Sequence, residues 1–181
     1  AAGGFNDARR RIACCRRQLS ATGAVILAPC VGVVYAPMTD DLYLGVAEAG
    51  SWCNARALRA SDVDQLGEAV VGISFGSEET AMTRMEALNH LLLRRARKIR
   101  VLGSTGLDLV QIARGRLGAL IQDRVKLWDF AAAEIILQQS GGLFVASRVG
   151  LFSYRIAACA PGIYRELSTV LQTVYGTDMP E

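Results

Sequence analysis

The 181-residue sequence has a single histidine, His90, and no C-x-x-C pair. A zinc site of ordinary Cys/His spacing is therefore not expected. Hydrolysis of the Ser-His-Asp or Cys-His kind would have to run through His90, which falls in a leucine-rich stretch where a histidine is expected to be structural. The five cysteines (Cys14, Cys15, Cys30, Cys53, Cys159) are odd in number and scattered, a pattern that suits free thiols in a reducing cytoplasm. Lysine is nearly absent: only Lys98 and Lys126 occur, and arginine carries the remaining positive charge. The net charge of +3, from 20 basic and 17 acidic side chains, is too balanced for the dense basic face of a nucleic-acid binder. No apolar run is long enough to span a bilayer, so no membrane partner is expected. The run 24–36, after Arg16-Arg17, resembles a lipoprotein signal faintly, but Pro29 beside Cys30 spoils it. Its Val25, Ile26, Val31, Val33 and Val34 suit buried strands instead.

With 51% apolar and 20% charged residues the chain can bury a real core. Residues 1–23 hold five arginines and one carboxylate, Asp7, with no clear period. Beyond them, 31–35 and 42–46 are expected to form a strand hairpin across Ala36-Pro37-Met38-Thr39-Asp40-Asp41, followed by a short strand at 50–54. From Ser61 strands and helices alternate, which implies a sheet covered by helices. The expected strands are 69–73, 99–102, 119–122, 143–146 and 155–159. A helix capped by Ser77 opens with Glu78 and Glu79, carries Met82, Met85, Leu88 and Leu92 as its apolar stripe, and ends in arginines, matching the helix dipole. Further helices are expected from Gly103-Ser104-Thr105 to Gly115, over 128–140 with Gly141-Gly142 at its end, and over 163–174. The expected division is 1–60, a degenerate N-terminal region with the remnant of an antiparallel sheet, and 61–181, a C-terminal α/β unit.

Three stretches carry chemistry or scaffold. Trp128-Asp129-Phe130-Ala131-Ala132-Ala133 followed by Gly141-Gly142 places a carboxylate at a helix start, where it either caps free N–H groups or offers a hard oxygen to a metal. Gly103-Ser104-Thr105-Gly106 makes a strand-to-helix turn whose unpaired N–H groups suit an anion; its spacing is not that of a dinucleotide fingerprint. Gly32-Val33-Val34-Tyr35-Ala36-Pro37 with Asp41-Leu42-Tyr43, Gly50 and Asn54 forms the hairpin.

Taken in this order, over about residues 31–175, the three stretches resemble the second half of the inositol monophosphatase superfamily, with its W-D-x-A-A…G-G signature. The resemblance implies an α/β, layered α-β-α-β-α sandwich lacking its N-terminal part. It also implies magnesium-dependent hydrolysis of a small phosphate monoester such as an inositol phosphate, a sugar phosphate or an adenosine bisphosphate. Asp129 would hold Mg2+, and Gly103, Ser104 and Thr105 would line the substrate side. Gln122, seven residues before Asp129 where the family has an acid, is an uncharged substitute able to bond a hydroxyl. Lithium sensitivity, a homodimer and a cytoplasmic location are implied in the same way. In that family paired glutamates and a D-P-x-D-G-T motif complete a site of two or three magnesium ions, which activate a water for attack on phosphorus. Neither element is present here, and Asp40, Asp41 and Glu48 belong to the hairpin scaffold. No catalytic residue is assigned, and impaired turnover is expected. The alternatives are a non-catalytic relative that binds ligands or partners, and a nucleotide-binding module.

Overall fold

A computed structural model of the chain describes residues 11–19, 25–75 and 78–176, with side chains described from Pro29 onward except at 76–77 and beyond Gly176. The expected Ser77 cap lies outside the described residues. Two five-stranded sheets organise the molecule. The first is an antiparallel meander of β1 (Arg11–Leu19), β2 (Val25–Ala36), β3 (Asp41–Val46), β4 (Gly50–Cys53) and β5 (Arg56–Ala57). The second contains β6 (Val70–Ser74), β7 (Lys98–Arg100), β8 (Ala119–Lys126), β9 (Leu143–Gly150) and β10 (Ser153–Cys159), in the order β7-β6-β8-β10-β9. Strand β6 runs parallel to both β7 and β8, while β10 is antiparallel to β8 and β9.

Four helices complete the chain: α1 (Glu79–Leu93), α2 (Thr105–Ala113), α3 (Leu127–Gln139) and α4 (Tyr164–Tyr175). Apolar side chains sort them into layers. Val34 and Tyr43 of the first sheet share one core with Val110 of α2, Ala132 and Ile136 of α3, and Leu120 and Ile156 of the second sheet. The opposite face of the second sheet, including Val71, Ile121 and Ala157, packs on Met85 and Leu88 of α1 and Leu167 and Val170 of α4. The result is a layered α/β sandwich, sheet–helix–sheet–helix. An outer helical layer beyond the first sheet, part of the expected arrangement, has no counterpart among the described residues.

Helix α3 is apolar nearly all round because it lies between two sheets. Its closeness to the first sheet depends on glycine: a Cβ on Gly45 would stand 2.7 Å from the Ile136 Cα, and one on Gly32 would overlap the Ala132 carbonyl. Ile136 is fully buried there, worth about 1.5–3 kcal/mol relative to exposure. Helix α1 has the opposite character. It buries Ala81, Met85, Leu88 and Leu92 on one stripe, whereas Met82, expected in that stripe, is 41% exposed. Met82 is the next residue after Ala81 and so is rotated about 100° away from the sheet.

Strand β1 occupies part of the stretch in which no period was legible. Its pairing with β2 shifts register between Cys14 and Cys15, where Cys15 meets Pro29. The extra residue is Cys30 of β2, next to Pro29, which lacks the ladder N–H, so the bulge belongs to β2. Strand β2 begins at Val25, so the run 24–36 is sheet as its β-branched residues required.

The crossovers fix where a ligand site can lie. The chain leaves β6 for α1 on one face of the second sheet and leaves β8 for α3 on the other. Adjacent parallel strands with opposite exits create a crevice at their carboxyl ends.

Candidate functional site

Helices α2 and α3 both follow strands that run in the β6 direction, so both begin at that carboxyl edge. Ser104 is the N-cap of α2: its backbone is extended, and its Oγ accepts the Leu107 N–H at 3.5 Å. Ser104 and Thr105 are buried at 3% and 8% exposure, while Gly103 precedes them at φ +76, a conformation natural to glycine. The remaining first-turn N–H groups of α2 carry the positive end of the helix dipole toward the edge.

Asp129 lies in the first turn of α3, half-buried, and Lys126 at the N-cap position makes no side-chain capping bond. Trp128, 61% exposed, does not enter the core but faces Phe152 with ring centroids 6.0 Å apart. Gln122 pairs with Ser74 at the last position of β6 and is 5% exposed. Its Oε1 is buried without a hydrogen-bond donor among the described residues. Gly103, Ser104, Thr105 and Asp129 thus stand at the helix starts of this edge, while Gln122 lies within β8, level with the C-terminal end of β6. His90 lies on an exposed face near the far end of α1.

Charged groups not singled out in the sequence shape the same region. Asp123, next to Gln122 but on the opposite face of the sheet, accepts from Arg155 Nε at 3.2 Å, with side chains only 1% and 2% exposed. The Arg155 guanidinium also lies 4.1 Å from the centroid of the Tyr175 ring. Burial, then the negative charge of Asp123, pushes the Tyr175 phenol up to about 12. Arg124, held at φ +62 where the β8–β10 register shifts, reaches Glu78 at the start of α1 at 2.8 Å. That ion pair ties β8 to the segment entering α1. Asp123 beside Gln122 was visible in the sequence, but nothing local marks Arg155, which is 32 positions away.

On the hairpin, Asp41 is bound by Arg114 at 2.8 Å and so serves the scaffold. Burial alone would raise its carboxyl, but hydrogen bonds from Thr39, Arg114 and Cys53 outweigh that and hold it below the usual carboxylate range. Among the described residues no three His, Cys, Asp or Glu side chains stand close enough to share a metal ion. Asp129 offers one carboxylate ligand. Two or three magnesium ions around a phosphate need several anionic ligands to offset their mutual repulsion, so the described donor set does not fit such a cluster.

The chain matches the model of the inositol monophosphatase family over residues 24–173. It is 32% identical over 146 residues to the Nus factor SuhB of Pasteurella multocida, covering 78% of this chain and 55% of that protein. It is 32% identical over 158 residues to the human inositol monophosphatase 2, covering 81% and 54%. Among solved structures it is similar to Mycobacterium tuberculosis SuhB, with a TM-score of 0.76, 29% identity and coverage of 82% and 61%. The inositol monophosphatase of Anabaena gives 0.73, 28%, 83% and 64%. The chain therefore spans about half the length of the curated relatives it matches. A family match over most of the chain, and a shared sheet–helix–sheet–helix core, make it a member of the inositol monophosphatase family.

Proposed function

We propose that this chain binds a small polyol phosphate monoester at the carboxyl edge of β6 and β8, and that the protein's reaction is magnesium-dependent phosphoric monoester hydrolysis, slow in this chain. The observation that carries this reading is the convergence of two helix starts on one crevice, with Ser104 capping one and Asp129 in the first turn of the other. The N–H groups at the start of α2 suit an anionic ester. The unpartnered Gln122 Oε1 accepts a hydrogen bond from a ligand hydroxyl, a group that an inositol or sugar offers. Asp129 is the ligand for a divalent cation on this side of the site, and no further step is assigned to metal, because the described donors do not complete its coordination. The substrate classes are inositol phosphates, sugar phosphates and adenosine bisphosphates. A homodimer in the cytoplasm belongs to the same proposal; the described part contains no helix long and apolar enough to cross a membrane.

Phosphate release from inositol 1-phosphate tests the hydrolase reading. Slow release that requires magnesium and disappears in Asp129→Asn is expected. Equal, negligible release with and without magnesium would remove the claim for this chain. A second reading, a non-catalytic ligand-binding relative, is favoured by the missing cluster of metal-binding side chains among the described residues. It predicts that inositol 1-phosphate binds without being hydrolysed.

A further inference from the structure

The far end of α2 opens onto a polar cavity of about 480 Å3, whose walls include Asp41, Asn54, Arg56, Arg59 and Arg114. That volume falls within the range of about 300–1,000 Å3 usual for small-molecule sites. Helix α2 separates the cavity from the Ser104 edge by about 13 Å, at about 1.5 Å per residue.

The charges in the cavity wall are unequally satisfied. Asp41 is its one carboxylate, and it already accepts from Arg114 at 2.8 Å, Thr39 at 3.0 Å, and Cys53 and Asn54 at 3.4 Å each. Arg59 pairs with Asp62 at 3.0 Å, with both side chains 80% exposed. Arg56 has no acidic partner among the described residues. With Asp62 counted, three guanidinium groups face two carboxylates, so the cavity retains a net positive charge.

Arg114 is the fixed element. Its Nη1 donates to Asp41 and, at 2.7 Å, to the Tyr43 hydroxyl, with the guanidinium 5.7 Å from the Tyr43 ring centroid. Its Nε and Nη2 make no hydrogen bond to the described residues. Those two nitrogens form the edge of the guanidinium that grips a phosphate or carboxylate with two parallel bonds. Because Tyr43 and Asp41 lock the side chain, little conformational entropy remains to be lost when that edge is used.

We infer that this cavity is a second ligand site, separate from the Ser104–Asp129 edge, and that it takes the phosphate group of a small soluble ester between Arg56 and the Nε–Nη2 edge of Arg114. The concave shape fits a soluble molecule better than a planar membrane surface. The inference does not depend on the hydrolase reading, because none of its residues belongs to the proposed substrate side.

Isothermal titration of the full chain with inorganic phosphate, in EDTA at low salt, tests it. Arg56→Glu removes a cation from the cavity, and Arg165→Glu makes the same change of net charge at an exposed position on α4. Arg56→Glu should weaken phosphate binding at least tenfold, and Arg165→Glu less than twofold. In nitrogen-15 spectra the Arg114 Nε resonance should shift along the same titration curve. Equal losses in the two variants, or an Arg114 Nε signal unmoved at saturating phosphate, would overturn the inference.

Discussion

Replacing Arg155 with methionine removes a cation from the core without greatly changing the volume of the side chain. Asp123 would then be left at 1% exposure with its partner at 3.2 Å gone, and the cation over the Tyr175 ring would be lost as well. Breaking a buried pair from one side costs about 3–5 kcal/mol, because the remaining partner is left uncompensated in a medium that solvates it poorly. A domain has about 5–15 kcal/mol in total, so the variant should fold but only just. With a urea dependence of about 2 kcal/mol per molar, the unfolding midpoint should fall by about 2 M. Far-ultraviolet circular dichroism at several urea concentrations measures this directly. The companion Asp123→Leu/Arg155→Met variant replaces both charges with apolar groups and should recover most of the loss. If Arg155→Met alone cost less than about 1 kcal/mol, or the double variant were the less stable of the two, the pair would not be the buried, mutually dependent unit described here.

Three other perturbations probe different links in the fold. Gly45→Ala should destabilise by about 1–3 kcal/mol, since the new methyl would push α3 off the first sheet; thermal unfolding checks this, and an unchanged Tm would show that the contact with Ile136 yields easily. Ala55 sits at φ +65 in the two-residue turn between β4 and β5, where glycine is unstrained, so Ala55→Gly should raise Tm by about 2–4 °C. Burial pushes the Glu134 carboxyl from an ordinary 4.5 up to about 7, against a hydrogen bond from Gln138. The folded state therefore holds a proton that the unfolded chain has released between those values, and stability falls as pH rises from 4.5 to 7 and levels off above. The fall should be about 3 kcal/mol at most, and Glu134→Gln should abolish it; an unchanged pH profile in that variant would refute the assignment.

The sequence was most informative where one local pattern had one structural outcome. Trp128-Asp129 with its alanines and Gly141-Gly142 is α3, and the Gly103-Ser104-Thr105 turn is the start of α2. Element ends were less legible. Strand β8 continues four residues past Gln122 because β10 pairs with it as far as Lys126, a partnership no local window contains. The arginine-rich stretch 11–19 is a strand only through its pairing with β2, and no apolar–polar alternation in its own residues announces it. Contacts between distant residues were hidden altogether. Arg114 meets Asp41 across 73 positions and Arg155 meets Asp123 across 32, and only the packing of α2 on the first sheet and the β8–β10 register bring these charges together. Gln122 was identified by its offset from Asp129, while its unpartnered oxygen emerged only from the fold.

The claim on which the account rests is that a polyol phosphate occupies the edge where α2 and α3 begin. Amide hydrogen exchange of the full chain, with and without inositol 1-phosphate and magnesium, tests it most directly. Slowed exchange at 103–107 and 127–130 is predicted. Saturating ligand that leaves both segments exchanging at their free rates would contradict it.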